Sequence, residues 1–214
     1  MTSLTVWGRA NSINVQKVLW LLAELDVPYK HIPAGGAYGN LDTPEFLAMN
    51  PCGRVPVIQD GDVVVWESHA ILRYLAATRG RECFWPEGAA GRSMDDRWMD
   101  WSETSLQPDF INGIFWGFYR TPEPLRDAQT IAAKVARCAA HMQLLDKILK
   151  SQPFLSGSAL GLADIPASTL LFRYFNLEID RPHVPHVASW YARLQERQAY
   201  RDHVMLPFDD LKGR

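Results

Sequence analysis

The stretch VPVIQDGDVVVWESHAILRYLAAT, residues 55–78, constrains the fold more than any other. Two apolar, β-branched runs flank Asp60-Gly61, the strongest short-range signal for a β-hairpin. Pro56 has no N–H to give a sheet ladder, so it belongs at the first residue of its strand. A helical run then starts directly behind Glu67-Ser68. Upstream, LTVW reads as a short strand and Asn11 to Asn14 as a polar loop. VQKVLWLLAEL carries Val15, Val18, Leu19, Leu22 and Leu25 along one helical stripe. PYKHI is a second strand and AGGAYGN a glycine-rich loop. TPEFLAMN opens a short helix with Thr43 as N-cap and Pro44 at the first position. The order is β-α-β-α-β-β-α within the first 80 residues.

Beyond residue 80 the pattern changes. Gly and Pro86 punctuate a linker over 81–91, and residues 92–214 read as helical with no strand pattern. RSMDDRWMDWSETSLQPDFINGIFWGFYR is one long helix that Pro108 kinks without ending it. The next helix has its apolar stripe through Ile131, Val135, Cys138, Met142, Leu145 and Leu149. GLADIPASTLLFRYF and VASWYARLQERQAY supply two more. The expected fold class is α+β in two domains, a small βαβαββα domain over 1–80 and an all-α domain over 92–214.

Composition closes off several function classes. A formal charge of −2 and the absence of any Lys/Arg run argue against nucleic acid as a partner. No stretch approaches the ~20 apolar residues of a membrane helix, and the N-terminal sequence lacks the basic patch and apolar core of a signal peptide. Three cysteines without a Cys-x-x-Cys read as reduced thiols. A cytoplasmic location follows as the expectation. Of the histidines only His183 and His186 are close, and the prolines between and before them forbid the helix that would align them, so no metal site is expected.

The chemistry concentrates around the hairpin. A cis Val55-Pro56 bond would turn the Val55 backbone outward to pair with an extended ligand, whereas a trans proline would merely open an edge strand. Glu67-Ser68 stands where strand gives way to helix. Free N–H groups, the helix dipole and the Ser68 hydroxyl suit a carboxylate, and Glu67 suits an ammonium. Together they fit an α-amino-acid zwitterion; plain helix capping is the competing reading.

NPCGRVPVIQDGDVVVWESHAILRYLA, preceded by SINVQKVLWLLAEL, resembles the glutathione-binding domain of cytosolic glutathione transferases. The likeness runs on through FWP in the linker and LADI in the helical part, and points to the bacterial theta/nu-like, serine/asparagine type. It implies a thioredoxin-like first domain and a helical-bundle second domain. It also implies that Val55, before a cis Pro56, pairs its backbone with the cysteinyl part of glutathione. Glu67 and Ser68 would hold the γ-glutamyl group, and Arg54, with the loop near Tyr38, would face the glycyl carboxylate. GRANSINVQK has neither the tyrosine of some classes nor an active-site cysteine. Ser12 then falls where theta-like enzymes keep their serine, with Asn14 completing a Thr-x-Asn-like pattern. Arg9 in the same loop could add positive potential at the sulfur. GLADIPAS departs from the family pattern, with Gly161 where Ser or Thr caps and Asp164 keeping the other half of the capping box.

A free thiol with pKa near 8.5 is a few per cent thiolate at neutral pH. Lowering that pKa by two units takes about 2.7 kcal/mol. One hydrogen bond to the anion gives roughly 1.5–3 kcal/mol, so Ser12 with the Asn14 amide suffices. Ser12 is a donor to the thiolate, since its hydroxyl is too weak an acid to serve as base. Leu106, Phe110 and Ile114, spaced i, i+4, i+8, share a helix face that in the family walls the hydrophobic substrate site. Phe115, Trp116 and Tyr119 are the alternatives. The implied activity is glutathione transfer to a small-molecule hydrophobic electrophile by a homodimer. It pairs through the helix after Ser68 and the first long helix of the second domain. The competing functions are a nu-like disulfide reductase or peroxidase using glutathione, and a non-enzymatic glutathione-binding or regulatory protein.

Overall fold

Four short strands form one sheet in the computed structural model, which describes residues 4–213. β1 (Leu4–Trp7), β2 (Tyr29–Ile32), β3 (Val57–Asp60) and β4 (Val63–Trp66) lie in the order β2-β1-β3-β4. β2 runs parallel to β1, β3 antiparallel to β1, and β4 antiparallel to β3. α1 (Ile13–Glu24) makes the crossover from β1 to β2; α2 (Pro44–Met49) precedes β3, and α3 (Ser68–Arg79) follows β4. This is the thioredoxin-like arrangement. Thr43 caps α2 as its sequence dictates, Oγ1 accepting from Phe46 N at 3.2 Å. The Val55–Pro56 peptide is cis, and Pro56 stands one residue ahead of β3 instead of opening it.

The hairpin turns one residue later than the Asp-Gly pair alone indicates. Asp60 still pairs with Val63, so Gly61 and Asp62 make the turn. Gly61 sits at φ 61° and Asp62 is not in the left-handed region, the requirement of a II′ turn with glycine first. Gly-Asp and Asp-Gly both serve, and the flanking pairs decide the register.

The chain divides into two compact units, Met1–Trp85 with Gln198–Leu206, and Pro86–Arg197 with Pro207–Arg214. In the first unit α1 is buried well beyond its apolar stripe. Gln16, Lys17, Trp20 and Leu21 are interior too. Two helices pack on α1: α3, whose His69 meets Lys17, and α9 (Gln198–His203), which sets Tyr200 edge-on to Trp20 with ring centres 4.9 Å apart.

The second unit is helical. α4 (Gly88–Trp101) begins within the glycine-rich stretch: Gly88 enters it at φ 77°, Gly91 lies in its first turn, and a Cβ on Gly91 would approach Pro86 to 3.2 Å. The helix continues through Ser102–Leu106 and Pro108–Arg120 with wider, π-type turns, which accommodate Pro108 without a break. α5 (Ala128–Leu149) buries Cys138, Met142, Leu145 and Leu149, while Ile131 and Val135 stay half-buried. GLADIPASTLLFRYF gives two short helices, α6 (Asp164–Ser168) and α7 (Leu171–Asn176), and α8 (Pro185–Gln195) follows. The capping box holds in an altered form. The buried Asp164 carboxylate accepts from the N–H groups of Leu155 (2.7 Å), Ser156 (3.3 Å) and Gly161 (3.1 Å). Among the described residues no helix is long and apolar enough to cross a membrane.

Candidate active site

Sheet register gathers three of the segments singled out above. Val57 pairs with Trp7 on one side and with Trp66 on the other, so these three residues stand abreast. The residues just past that row are Gly8, the cis Val55–Pro56 pair and Glu67. All three chain segments therefore leave the sheet at one end.

Gly8 sits where they meet. Its φ of 152° and its surroundings exclude a side chain: a Cβ there would fall 2.4 Å from Val15 Cγ2 and 3.2 Å from Val55 Cβ. The absent side chain thus brings the start of α1 against the loop before β3. Ser12 closes a turn through its N–H to Arg9 O (3.0 Å) and takes the N-cap position of α1 with extended backbone, φ −84° and ψ 123°. An N-cap serine ordinarily turns its hydroxyl onto a first-turn N–H. Ser12 makes no such bond. In the first turn, Asn14 Oδ1 is buried and has no hydrogen-bond partner among the described residues. Arg9 lies along the glycine-rich loop, where a Cβ on Gly36 would meet its Cδ at 3.0 Å.

The loop before β3 is held by Asn50, which the sequence reading passed over. Its buried side chain donates from Nδ2 to Arg54 O (2.8 Å) and accepts at Oδ1 from Cys52 N (3.0 Å). Its carbonyl accepts from Gly53 N (3.0 Å), with Gly53 at φ 60°. This Asx-type turn fixes the peptide immediately ahead of Val55. Arg54 and Tyr38 point to solvent.

At the third segment Glu67 is the N-cap of α3, at φ 69° and ψ 121°, exposed, with no side-chain capping bond. A non-glycine residue held there stores about 1–3 kcal/mol of backbone strain and marks a site under other constraints. Ser68, the first helical residue, is buried. Next to it His69 Nε2 lies 3.1 Å from Lys17 Nζ of α1. Burial, with the charges of Lys17 and Arg73, pushes the His69 pKa down to about 2. The ring is neutral, and Nε2 accepts from the lysine ammonium. Lys17 lies off the stripe of Val15, Val18, Leu19, Leu22 and Leu25, so the helical pattern carries no signal for this pair.

Leu106, Phe110 and Ile114 do form one face, but it is the interior one. All three are fully buried, and Phe110 packs edge-on against Tyr174. They expose no surface to a ligand, which corrects the expectation that they line a substrate site. Of the alternatives, Phe115 is buried too, beneath the Arg173 guanidinium. Trp116 is exposed, and Tyr119 borders a recess of about 600 Å³ with Phe172 and Phe208.

Comparison with known proteins identifies the family. Residues 2–77 match the family model for the glutathione S-transferase N-terminal domain, and residues 109–198 that for the C-terminal domain. Glutathione S-transferase GstB of Escherichia coli K12 is 41% identical over 206 residues, covering 95% of this chain and 99% of the relative. Human glutathione S-transferase theta-1 is 35% identical over 132 residues, 59% of this chain and 54% of its own. Among solved structures, the theta class glutathione S-transferase of Xanthomonas axonopodis pv. citri with glutathione bound superposes with a TM-score of 0.91. It is 44% identical, covering 97% of this chain and 99% of the other. By sequence along nearly its whole length and by fold, the chain belongs to the glutathione S-transferase family.

Proposed function

We propose that this chain binds glutathione across the shared end of its sheet and ionises the thiol for attack on small hydrophobic electrophiles. The backbone of Val55, ahead of the cis Pro56, pairs with the cysteinyl residue. Glu67 takes the γ-glutamyl ammonium, Ser68 and the α3 N-terminus take its carboxylate, and Arg54 takes the glycyl carboxylate. Ser12 and Asn14 act on the sulfur. The observation that carries the reading is the Ser12 hydroxyl, which stands at a helix N-cap yet leaves the capping role unfilled. Asn14 supports it: a half-turn of its amide exchanges the buried, unpartnered Oδ1 for an Nδ2 donor at the same place.

The steps follow from the donors. Glutathione gives up its thiol proton to solvent. The thiolate, held by O–H and N–H donors at the positive end of α1, retains its electron pair until the electrophile arrives. That pair forms the new C–S bond, and the displaced group leaves with the electrons of the bond it breaks. Two copies pair through α3 and the α4 helix in this reading, with Arg73 and Tyr74 of α3 beyond its core stripe; the Tyr74 hydroxyl is engaged with Asp60 at 2.9 Å.

The test is turnover of the purified protein with glutathione against aryl halides, haloalkanes, peroxides and disulfides. Conjugation of an organic halide is the expected result. Turnover confined to disulfides or peroxides replaces transfer by reduction, and tight glutathione binding with no turnover on the whole panel leaves a binding protein.

A further inference from the structure

The loop that carries Ser12 departs from Gly8, and glycine gives it a loose root, since without a Cβ the peptide swings through a wide range of ψ. Main-chain pairing restrains only one side of that residue. Gly8 N donates to Ile32 O at 3.0 Å, the last bond between the β1 and β2 segments. The next group along, Gly8 O, is reached by a side chain. His31, whose own backbone is in register with Val6, extends along β2 and places Nε2 2.7 Å from Gly8 O. A carbonyl oxygen only accepts, so Nε2 carries the proton and donates. The ring is half-buried and set edge-on to Tyr29, with His203 of α9 on the same side. With both polar groups of Gly8 bound, the Gly8–Arg9 peptide has one orientation, from which the turn of Ser12 N onto Arg9 O follows.

We propose that His31 is a positioning residue for the thiol-activating loop, locking the glycine root from which Ser12 is presented. This rests on the reading of Ser12 as thiol donor, so the experiment has two arms that fail separately. The first is amide hydrogen exchange of the free protein, residue by residue, in wild type, His31→Leu and His31→Gln. The Ser12 amide should exchange at least tenfold faster in His31→Leu, with the Val6 and Trp7 ladder amides unchanged. His31→Gln keeps a side-chain N–H donor and should recover most of the protection. The second arm is the ultraviolet titration of the glutathione thiolate in the complex. His31→Leu should raise that pKa by half a unit to one unit while the dissociation constant at pH 6 stays within twofold. An unchanged Ser12 amide overturns the proposal. So does acceleration spread evenly over β1 and β2, or glutamine no better than leucine. If Ser12→Ala fails to move the titration, the Ser12 reading falls, and the exchange arm still decides the role of His31.

Discussion

Glu67 combines two properties that pull in opposite directions, and removing its side chain should separate them. Its backbone lies at φ 69° and ψ 121°, its carboxylate caps nothing, and it is exposed. In Glu67→Gly the folded state loses no internal contact and about 1–3 kcal/mol of strain is relieved. Glycine returns roughly 0.5–1 kcal/mol of that through the greater freedom of the unfolded chain. The free protein should therefore gain about 1 kcal/mol of stability. Glutathione binding should weaken by about 2 kcal/mol, near thirtyfold, because a charge-assisted bond to the γ-glutamyl ammonium is gone. Denaturant titration without ligand measures the first effect and calorimetry with glutathione the second. A glutathione analogue lacking the α-amino group isolates the cause, since wild type and variant should bind it equally. A Glu67→Gly protein that is less stable than wild type, or that loses the same affinity for both ligands, would refute the reasoning.

Gly8→Ala places a methyl 2.4 Å from Val15 Cγ2, between α1 and the Val55 loop. It should cost several-fold or more in glutathione affinity by calorimetry, along with a lower melting temperature. Asp164→Ala strands the buried N–H groups of Leu155 and Gly161 at about 1–3 kcal/mol each and loosens the part-buried one of Ser156, so chemical denaturation should show a loss of at least about 2 kcal/mol. The Asp109 carboxyl is raised by burial, but hydrogen bonds from Lys134 and His141 outweigh this and hold it below the usual carboxylate range. A depressed carboxylate contributes stability above its unfolded pKa and loses it as pH falls through the folded one. Urea midpoints of wild type and Asp109→Asn should therefore differ at pH 7 and draw together below the usual carboxylate pKa.

Local signals carried much of this fold. The hairpin, the Thr43-Pro44 cap and the α1 stripe each show in a few neighbouring residues, and each is present, the hairpin with its turn one residue past the Asp60-Gly61 signal. What stayed illegible depends on remote partners. Nothing in VQKVLWLLAEL tells that Trp20 and Gln16 are interior, because α9, which packs on α1, arrives only at residue 198. The spacing of Leu106, Phe110 and Ile114 identifies an apolar face, but core and ligand wall share that spacing, and only packing against Tyr174 distinguishes them. GLADIPASTLLFRYF reads as one helix with Pro166 in its first turn, yet Thr169 and Leu170 interrupt it. In the candidate site, the residues at the strand ends were visible as motifs because capping and turn chemistry are local. His31 was not, and Asn50 was passed over although its bonds, to Cys52 and Arg54, are as local as any. Each acts through a hydrogen bond to main chain, and the His31 bond spans 23 positions with no periodic trace.

The central claim is that Ser12 holds the sulfur as thiolate, and the ultraviolet absorbance of that thiolate against pH reads it directly. Ser12→Ala should raise the pKa of bound glutathione by about one to two units, or roughly 1.4–2.7 kcal/mol. The dissociation constant at pH 6, where the thiol is mostly protonated, should barely move. Asn14→Ala should shift the titration the same way, and the double variant further than either. A titration unmoved in Ser12→Ala, with Asn14→Ala or Arg9→Ala displacing it instead, would contradict the account.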